Sequence, residues 1–123
     1  MLEIFLPFPP SVNTYWGFSG SRRFLTKRAI EFKKETLDRF NATGHFGFGN
    51  ARLQVSMFLH APDKRVRDID NVVKSTLDAL CQAKVFTDDS QIDVLIVRRD
   101  KPMKKGLCVI RIEENFSAES QNL

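Results

Sequence analysis

Residues 53–80 read LQVSMFLHAPDKRVRDIDNVVKSTLDAL. Leu53, Val55, Met57 and Leu59 alternate with Gln54, Ser56 and Phe58, the period of a strand with one face in a core. The residues from Ala61 to Arg67 form a basic loop. Asp68 or Ile69 then opens a helix that runs to about Ala83, with Ile69, Val73, Leu77 and Leu80 at helical spacing as its buried face. Working outward, Val85 to Asp89 reads as a turn, Ile92 to Val97 as a strand, Pro102 to Gly106 as a basic turn and Leu107 to Ile112 as a final strand. Upstream, Leu2 to Leu6 is a short apolar strand stopped by Pro7, Pro9 and Pro10. Thr26 is a plausible N-cap for a helix over 27–42, whose inner face carries Ala29, Phe32, Thr36 and Phe40, widened by Ile30 and Leu37. Lys33 falls inside that apolar arc, where its stem can cover apolar surface while its head reaches water. Residues 11–24 are read as a loop carrying Tyr15, Trp16 and Phe18, and Gly44, Gly47 and Gly49 as a flexible link. The order is β-α-β-α-β-β. The expected fold class is α+β, with a single mixed sheet packed by two helices.

The chain has 123 residues, enough for one core and too few for two ordinary domains. Residues 1–116 are expected to form that domain and 117–123 a disordered tail. Hydrophobic residues make up 42% and charged residues 28%, the balance of a globular, soluble chain. No apolar run approaches the roughly 20 residues of a membrane helix. The first residues lack the pattern of a signal peptide, which leaves the cytoplasm as the expected location. Cys81 and Cys108 belong to no C-x-x-C pair and lie far from His45 and His60, so a zinc site is not expected and both read as small buried hydrophobes.

The net charge is +4. The basic residues fall into three groups: Arg22, Arg23, Lys27, Arg28, Lys33 and Lys34; Lys64, Arg65 and Arg67; and Arg98, Arg99, Lys101, Lys104 and Lys105. Three such groups on one small domain suit a polyanion, although dispersed charge also serves solubility. Against this background stand four acids, Asp68, Asp70, Asp88 and Asp89. At a helix entrance Asp68 is still extended, so its carboxylate and that of Asp70 can converge while Ile69 turns inward, and the helix dipole favours anions there. Lys74 lies four residues after Asp70, on the same helical face. Packing of the helix on its sheet can return Asp88 and Asp89 towards the first pair. Carboxylates gathered in this way suit Mg²⁺ beside a phosphate. The plainer alternative makes Asp68 a cap, Asp70 and Lys74 an exposed ion pair, and Asp88 and Asp89 a turn cap. His60 either finishes its strand or reaches the site. Tyr15 and Trp16 either stack on bases or pack at the sheet edge.

Taken together, Arg67-Asp68-Ile69-Asp70-Asn71, Lys74, Asp78-Ala79-Leu80 and Asp88-Asp89-Ser90-Gln91-Ile92, with the opening Leu6-Pro7-Phe8-Pro9-Pro10-Ser11-Val12-Asn13, resemble the RusA family of Holliday junction resolvases. The resemblance implies a Mg²⁺-dependent endonuclease acting as a homodimer on branched DNA, the four-way junction. It maps the catalytic group onto Asp68, Asp70, Lys74 and Asp89, with Asp68, Asp70 and Asp89 as metal ligands and Asp88 as a secondary candidate. Lys64, Arg65, Arg67, Arg98, Arg99, Lys101, Lys104 and Lys105 are the expected DNA-binding residues. Two departures stand out: Val66 interrupts the basic run before the acids, and Lys84 occupies a position where the family often has glycine. The alternative function is a non-catalytic nucleic-acid-binding module of the same fold. A protein–protein adaptor, whose acids are only caps and ion pairs, is a further class.

Overall fold

The computed structural model describes residues 1–116; the expectation for 117–123 lies outside them. The elements are β1 (Leu2–Leu6), α1 (Val12–Tyr15), β2 (Trp16–Ser19), β3 (Arg22–Leu25), α2 (Lys27–Thr43), β4 (Leu53–His60), α3 (Val73–Gln82), β5 (Ile92–Arg99) and β6 (Leu107–Glu114). Short 3₁₀ turns at Ile69–Val72 and Asp89–Gln91 flank α3. The main sheet has the order β1-β6-β4-β5, with β4 and β5 parallel and the other pairs antiparallel. The α+β expectation with a mixed sheet therefore holds.

The alternation read in β4 is realised: Leu53, Val55, Met57 and Leu59 are buried, and they meet Ile4, Leu6, Ile110 and Ile112 beneath α2 and α3. Each such side chain contributes about 1.5–3 kcal/mol by leaving water. This makes the sheet a stiff base for the loops above it. In α2 the Thr26 hydroxyl accepts from the Ala29 amide at 3.2 Å, and Ala29, Phe32, Thr36 and Phe40 face inward. Ile30 and Leu37, read as widening that face, are exposed, because the sheet contacts only a narrow arc of the helix.

Three other expectations change. Residues 11–24 do not form a loop: α1 leads into a β2–β3 hairpin, a separate two-stranded sheet. Its two-residue Gly20-Ser21 turn is the signal that identifies it. Ile69 is 38% exposed rather than buried, and Val72 takes the inward place. The helix entrance is a 3₁₀ turn, whose three-residue period shifts the phase of the buried face.

The third change concerns the glycine-rich link. Gly47 lies against the connection after α3, where a Cβ would stand 2.6 Å from the Lys84 carbonyl oxygen, and its φ of +90 favours glycine. The Phe48 amide donates to the Val85 carbonyl at 2.9 Å. Gln91, 5% exposed, completes the clamp. Its Oε1 accepts from the Thr87 and Asp88 amides at 3.0 and 2.9 Å, and its Nε2 donates to the Gly49 and Ala51 carbonyls at 2.8 and 2.7 Å. All the hydrogen-bonding capacity of this amide is used between two loops.

Lys84 has φ of 67, in the left-handed region. A side chain there crowds the following carbonyl, which explains physically why glycine suits the position. Lys84→Gly is expected to raise the unfolding free energy by about 1 kcal/mol, measured by urea denaturation; an unchanged or lower value would refute the strain.

Candidate nuclease site

The β4-α3-β5 crossover places the two acidic pairs. Asp68 and Asp70 precede α3, beyond the end of β4; Asp88 and Asp89 follow α3, before β5. Asp68 is extended (φ −84, ψ 133), as read, and makes no cap through its side chain. Among the described residues neither the Asp68 nor the Asp70 carboxylate has a hydrogen bond or ion pair. Both are exposed and available as hard oxygen ligands.

Lys74 does not pair with Asp70. The 3₁₀ turn puts Asp70 off the helical phase, and the ammonium turns instead to Asp78 at 3.2 Å and Asp89 at 2.9 Å. These two hydrogen bonds, that of Asp89 the stronger influence, raise the Lys74 pKa above its ordinary value. Lys74 is therefore held as a cation between two carboxylates. Asp88 caps the second 3₁₀ turn: its Oδ2 accepts from the Ser90 amide at 2.9 Å, and the Ser90 side chain, then that amide, hold its carboxyl below the usual range. The turn-cap alternative is thus realised for Asp88.

Two cavities adjoin the α1 segment. The larger, 390 Å³, is lined by Arg28, Arg65, Arg67 and Arg99, with Asp68 and Asn71 among the other residues. One residue from the first basic group, two from the second and one from the third meet there. Arg28, absent from the expected DNA-binding residues, joins because α2 begins beside the proline turn. Ser75, buried in α3, fixes that turn by donating to the Pro10 carbonyl at 2.7 Å. Asp63 orders the basic loop, accepting from Arg67 Nη1 at 2.7 Å and from Arg65 Nη2 at 2.9 Å. The Arg65 and Arg67 hydrogen bonds hold its carboxyl well below the usual range. Arg99 donates to the Arg67 carbonyl, tying the end of β5 to the same loop.

The remaining expected basic residues are more peripheral. Lys64 is exposed in the loop, Arg98 is exposed on β5, and Lys101, Lys104 and Lys105 occupy the exposed β5–β6 turn. That turn is drawn towards the basic loop by the Met103 amide on the Ala61 carbonyl and by His60 Nδ1, 2.9 Å from the Lys101 carbonyl. His60 finishes its strand and anchors the turn.

The smaller cavity, 270 Å³, is lined by Tyr15, Lys74, Asp78, Cys81, Asp88 and Asp89, among others. Tyr15 packs edge-on to Trp16 with ring centroids 5.2 Å apart, and Lys33 Nζ stands 5.5 Å from its ring centre. Its hydroxyl is buried without a hydrogen-bond partner among the described residues. Burial, then Asp78, pushes its pKa up to about 12. An orphaned donor beside carboxylates and an ammonium suits an oxygen-rich ligand.

Asp68 thus opens on one cavity and Asp89 on the other. Among the described residues no three acids, histidines or cysteines stand close enough to hold a metal ion together. Because the pairs come from opposite ends of α3, the helix returns the second only as far as Lys74. The donor chemistry still fits Mg²⁺, which binds through one or two carboxylates with waters and substrate phosphates completing its shell.

Residues 7–113 match the family model described as endodeoxyribonuclease RusA. The chain belongs to the RusA family. It is similar to the crossover junction endodeoxyribonuclease RusA of Enterobacteria phage HK97, 33% identical over 112 residues, covering 91% of this chain and 93% of that protein. It is likewise similar to the proteins of that name from Escherichia coli strain K12 and Enterobacteria phage 82, each 31% identical over 106 residues, covering 85% of this chain and 86% of each relative. The RusA match spans both cavities, from Phe8 to Arg99. Gln91 and Tyr15 also lie within it.

Cys81 reports on the field of this acidic cavity. Burial, with Asp89, Asp88 and Asp78 adding, raises its thiol to about 11. At pH 8 roughly one thiol in a thousand is ionised. Alkylation at Cys81 is therefore expected to be slow at pH 8 and to quicken as the pH climbs towards 11, with Asp89→Asn moving the profile to lower pH. A profile centred near the ordinary thiol value would contradict the arrangement.

Proposed function

We propose that this RusA-family chain is a Mg²⁺-dependent, structure-selective endonuclease that resolves four-way DNA junctions by paired nicks in recombination and repair. The observation that carries the reading is the meeting of Arg28, Arg65, Arg67 and Arg99 on one groove with the uncommitted carboxylate of Asp68 at its wall. Guanidinium groups hold phosphate oxygens in fixed geometry. The groove positions a DNA backbone, and Lys64, Arg98, Lys101, Lys104 and Lys105 extend the track. Asp68 and Asp70 are the uncommitted carboxylates that would hold the metal, and Asp89, paired with Lys74 on the second cavity, would join them only by leaving that pair. Mg²⁺, when bound, would activate water and neutralise phosphate charge. Lys74, fixed as a cation by Asp78 and Asp89, stabilises negative charge on the phosphate or the leaving oxygen. The relatives named crossover junction endodeoxyribonuclease support the substrate and the reaction.

Cutting two opposed strands calls for two equivalent sites, which a twofold homodimer supplies. β5 is the edge suited to it. Val94, Leu95 and Ile96 are exposed in succession there, at 37%, 41% and 45%, on a strand with one unpaired side. Such an edge favours pairing with another strand. In an antiparallel pairing about a twofold through Ile96, Ile96 stands opposite its own copy and Leu95 opposite Val97 of the other, so apolar side chains meet across the seam. A second reading, a nucleic-acid-binding module without catalysis, draws on the separation of Asp68 from Asp89 between two cavities.

One assay decides between the readings: incubation of the protein with a synthetic four-way junction and with linear duplex, in Mg²⁺ and in EDTA. Metal-dependent cutting of the junction is expected, with Asp70→Asn lowering it at least about a hundredfold while junction binding persists. No cutting of the junction would leave the binding module, and normal cutting by Asp70→Asn would remove Asp70 from the site. For the dimer, Ile96→Asp is expected to convert a dimer to a monomer in sedimentation equilibrium without loss of helical circular dichroism. An unchanged dimer would place the interface elsewhere.

A further inference from the structure

The β2–β3 hairpin is not used by the site chemistry, yet it is attached to it. Its first residue, Trp16, lines the cavity that holds Lys74, Asp88 and Asp89. Its base is closed by Thr26, whose amide donates to the Tyr15 carbonyl at 3.1 Å and whose hydroxyl donates to the Thr14 carbonyl at 2.6 Å. The ribbon is thus anchored at the acidic cavity and extends away from it.

Each face of the ribbon carries an aromatic ring and an arginine. Phe24 lies across Gly17, where a Cβ would come within 2.4 Å of the ring. Phe24 therefore serves the ribbon itself. On the other face the Arg23 guanidinium stacks 3.9 Å from the Trp16 ring centre. Opposite Arg23 is Phe18, 71% exposed, with no aromatic ring or cation against it among the described residues. The Gly20-Ser21 turn, with Gly20 at φ +63, keeps the tip narrow. A large bare ring on a narrow ribbon, with Arg23 on its own face and Arg22 on the reverse face, is mismatched to water and suited to a partner with both flat apolar faces and negative charge.

We infer that Phe18 is a wedge that stacks on base pairs left open at the branch point of the DNA, with Arg22 and Arg23 holding the flanking phosphates. The inference rests on the endonuclease reading above and names how that site selects its substrate. A continuous duplex hides its base faces within the stack, and a branch point exposes them. Stacking on an aromatic ring tolerates any base, so the ribbon reads structure rather than sequence. Phe18 lies two strand residues beyond Trp16, about 7 Å at the rise of a strand. This is roughly two steps of a stacked nucleic-acid strand, which places the acidic cavity within about two nucleotides of the wedge.

The test uses the full chain and a four-way junction carrying 2-aminopurine at the branch point, in EDTA so that the DNA stays intact. Binding is expected to raise the fluorescence as the base loses its stacked neighbour. Phe18→Ala is expected to abolish that rise and to lower the preference for junction over linear duplex roughly tenfold. Phe18→Trp should restore both. The salt dependence of duplex binding should be unchanged in Phe18→Ala and shallower in Arg22→Ala. A fluorescence rise that persists in Phe18→Ala would overturn the wedge. A wild-type protein that cuts junctions in Mg²⁺ without disturbing the branch-point base would also overturn it, while leaving the endonuclease reading intact. Failure of the wild type to cut junctions at all is the separate result that sinks the endonuclease reading.

Discussion

The side-chain amide of Gln91 ties together the two loops on which the acidic cavity depends. Two amides of the 87–88 turn donate to it, and it donates to two carbonyls of the 49–51 segment. A buried backbone group without a partner is costly, so the position of one loop dictates that of the other. Through this clamp the connection after α3 is folded against the glycine-rich segment. Asp88 is held as a cap, and Asp89 is delivered to Lys74. The same amide that looks like an unremarkable residue before a strand thereby sets the electrostatics of the cavity.

Those electrostatics divide the work between two adjoining spaces. The groove of Arg28, Arg65, Arg67 and Arg99 gathers positive charge, and internal bonds hold three of these arginines in place: Asp63 holds Arg65 and Arg67, and the Arg67 carbonyl holds Arg99. The pair of Lys74 and Asp89 is more than half exposed on the lysine side and adds little to folding. It keeps an ammonium charged and aimed, and it leaves Asp68 and Asp70 without partners. The hairpin stands beside this arrangement as a separate sheet, fastened at its base and bare at Phe18.

Most of the frame was legible because burial leaves a periodic trace. The alternation in β4, the inner face of α2 and the Thr26 cap all follow from side-chain periods of two and 3.6 residues. What escaped was aperiodic or dependent on contact. Phe18 and Arg23 face each other across β2 and β3 only through a two-residue turn, so four-residue strands this short carry the composition of a loop. Helical phase points Ile69 inward, but a 3₁₀ turn does not keep that phase. Gly44, Gly47 and Gly49 suggested flexibility, yet Gly47 is glycine because the Lys84 carbonyl oxygen lies where a side chain would stand.

The sequence by itself determined the α+β class, the order of the four strands of the main sheet and the two long helices, the buried face of β4, the three basic groups and the acids with Lys74. Each of these is a matter of residue type and spacing along the chain, and the family pattern rests on the same information. The tertiary structure decided which of them meet. Arg28 joins Arg67 and Arg99 from three distant segments, and Lys74 turns from Asp70 to Asp89. Asp68 and Asp89 open on different cavities, because the crossover brings the two acidic pairs from opposite ends of α3. Local spacing fixes what a helix or strand presents, while the packing of one element on another fixes what it faces.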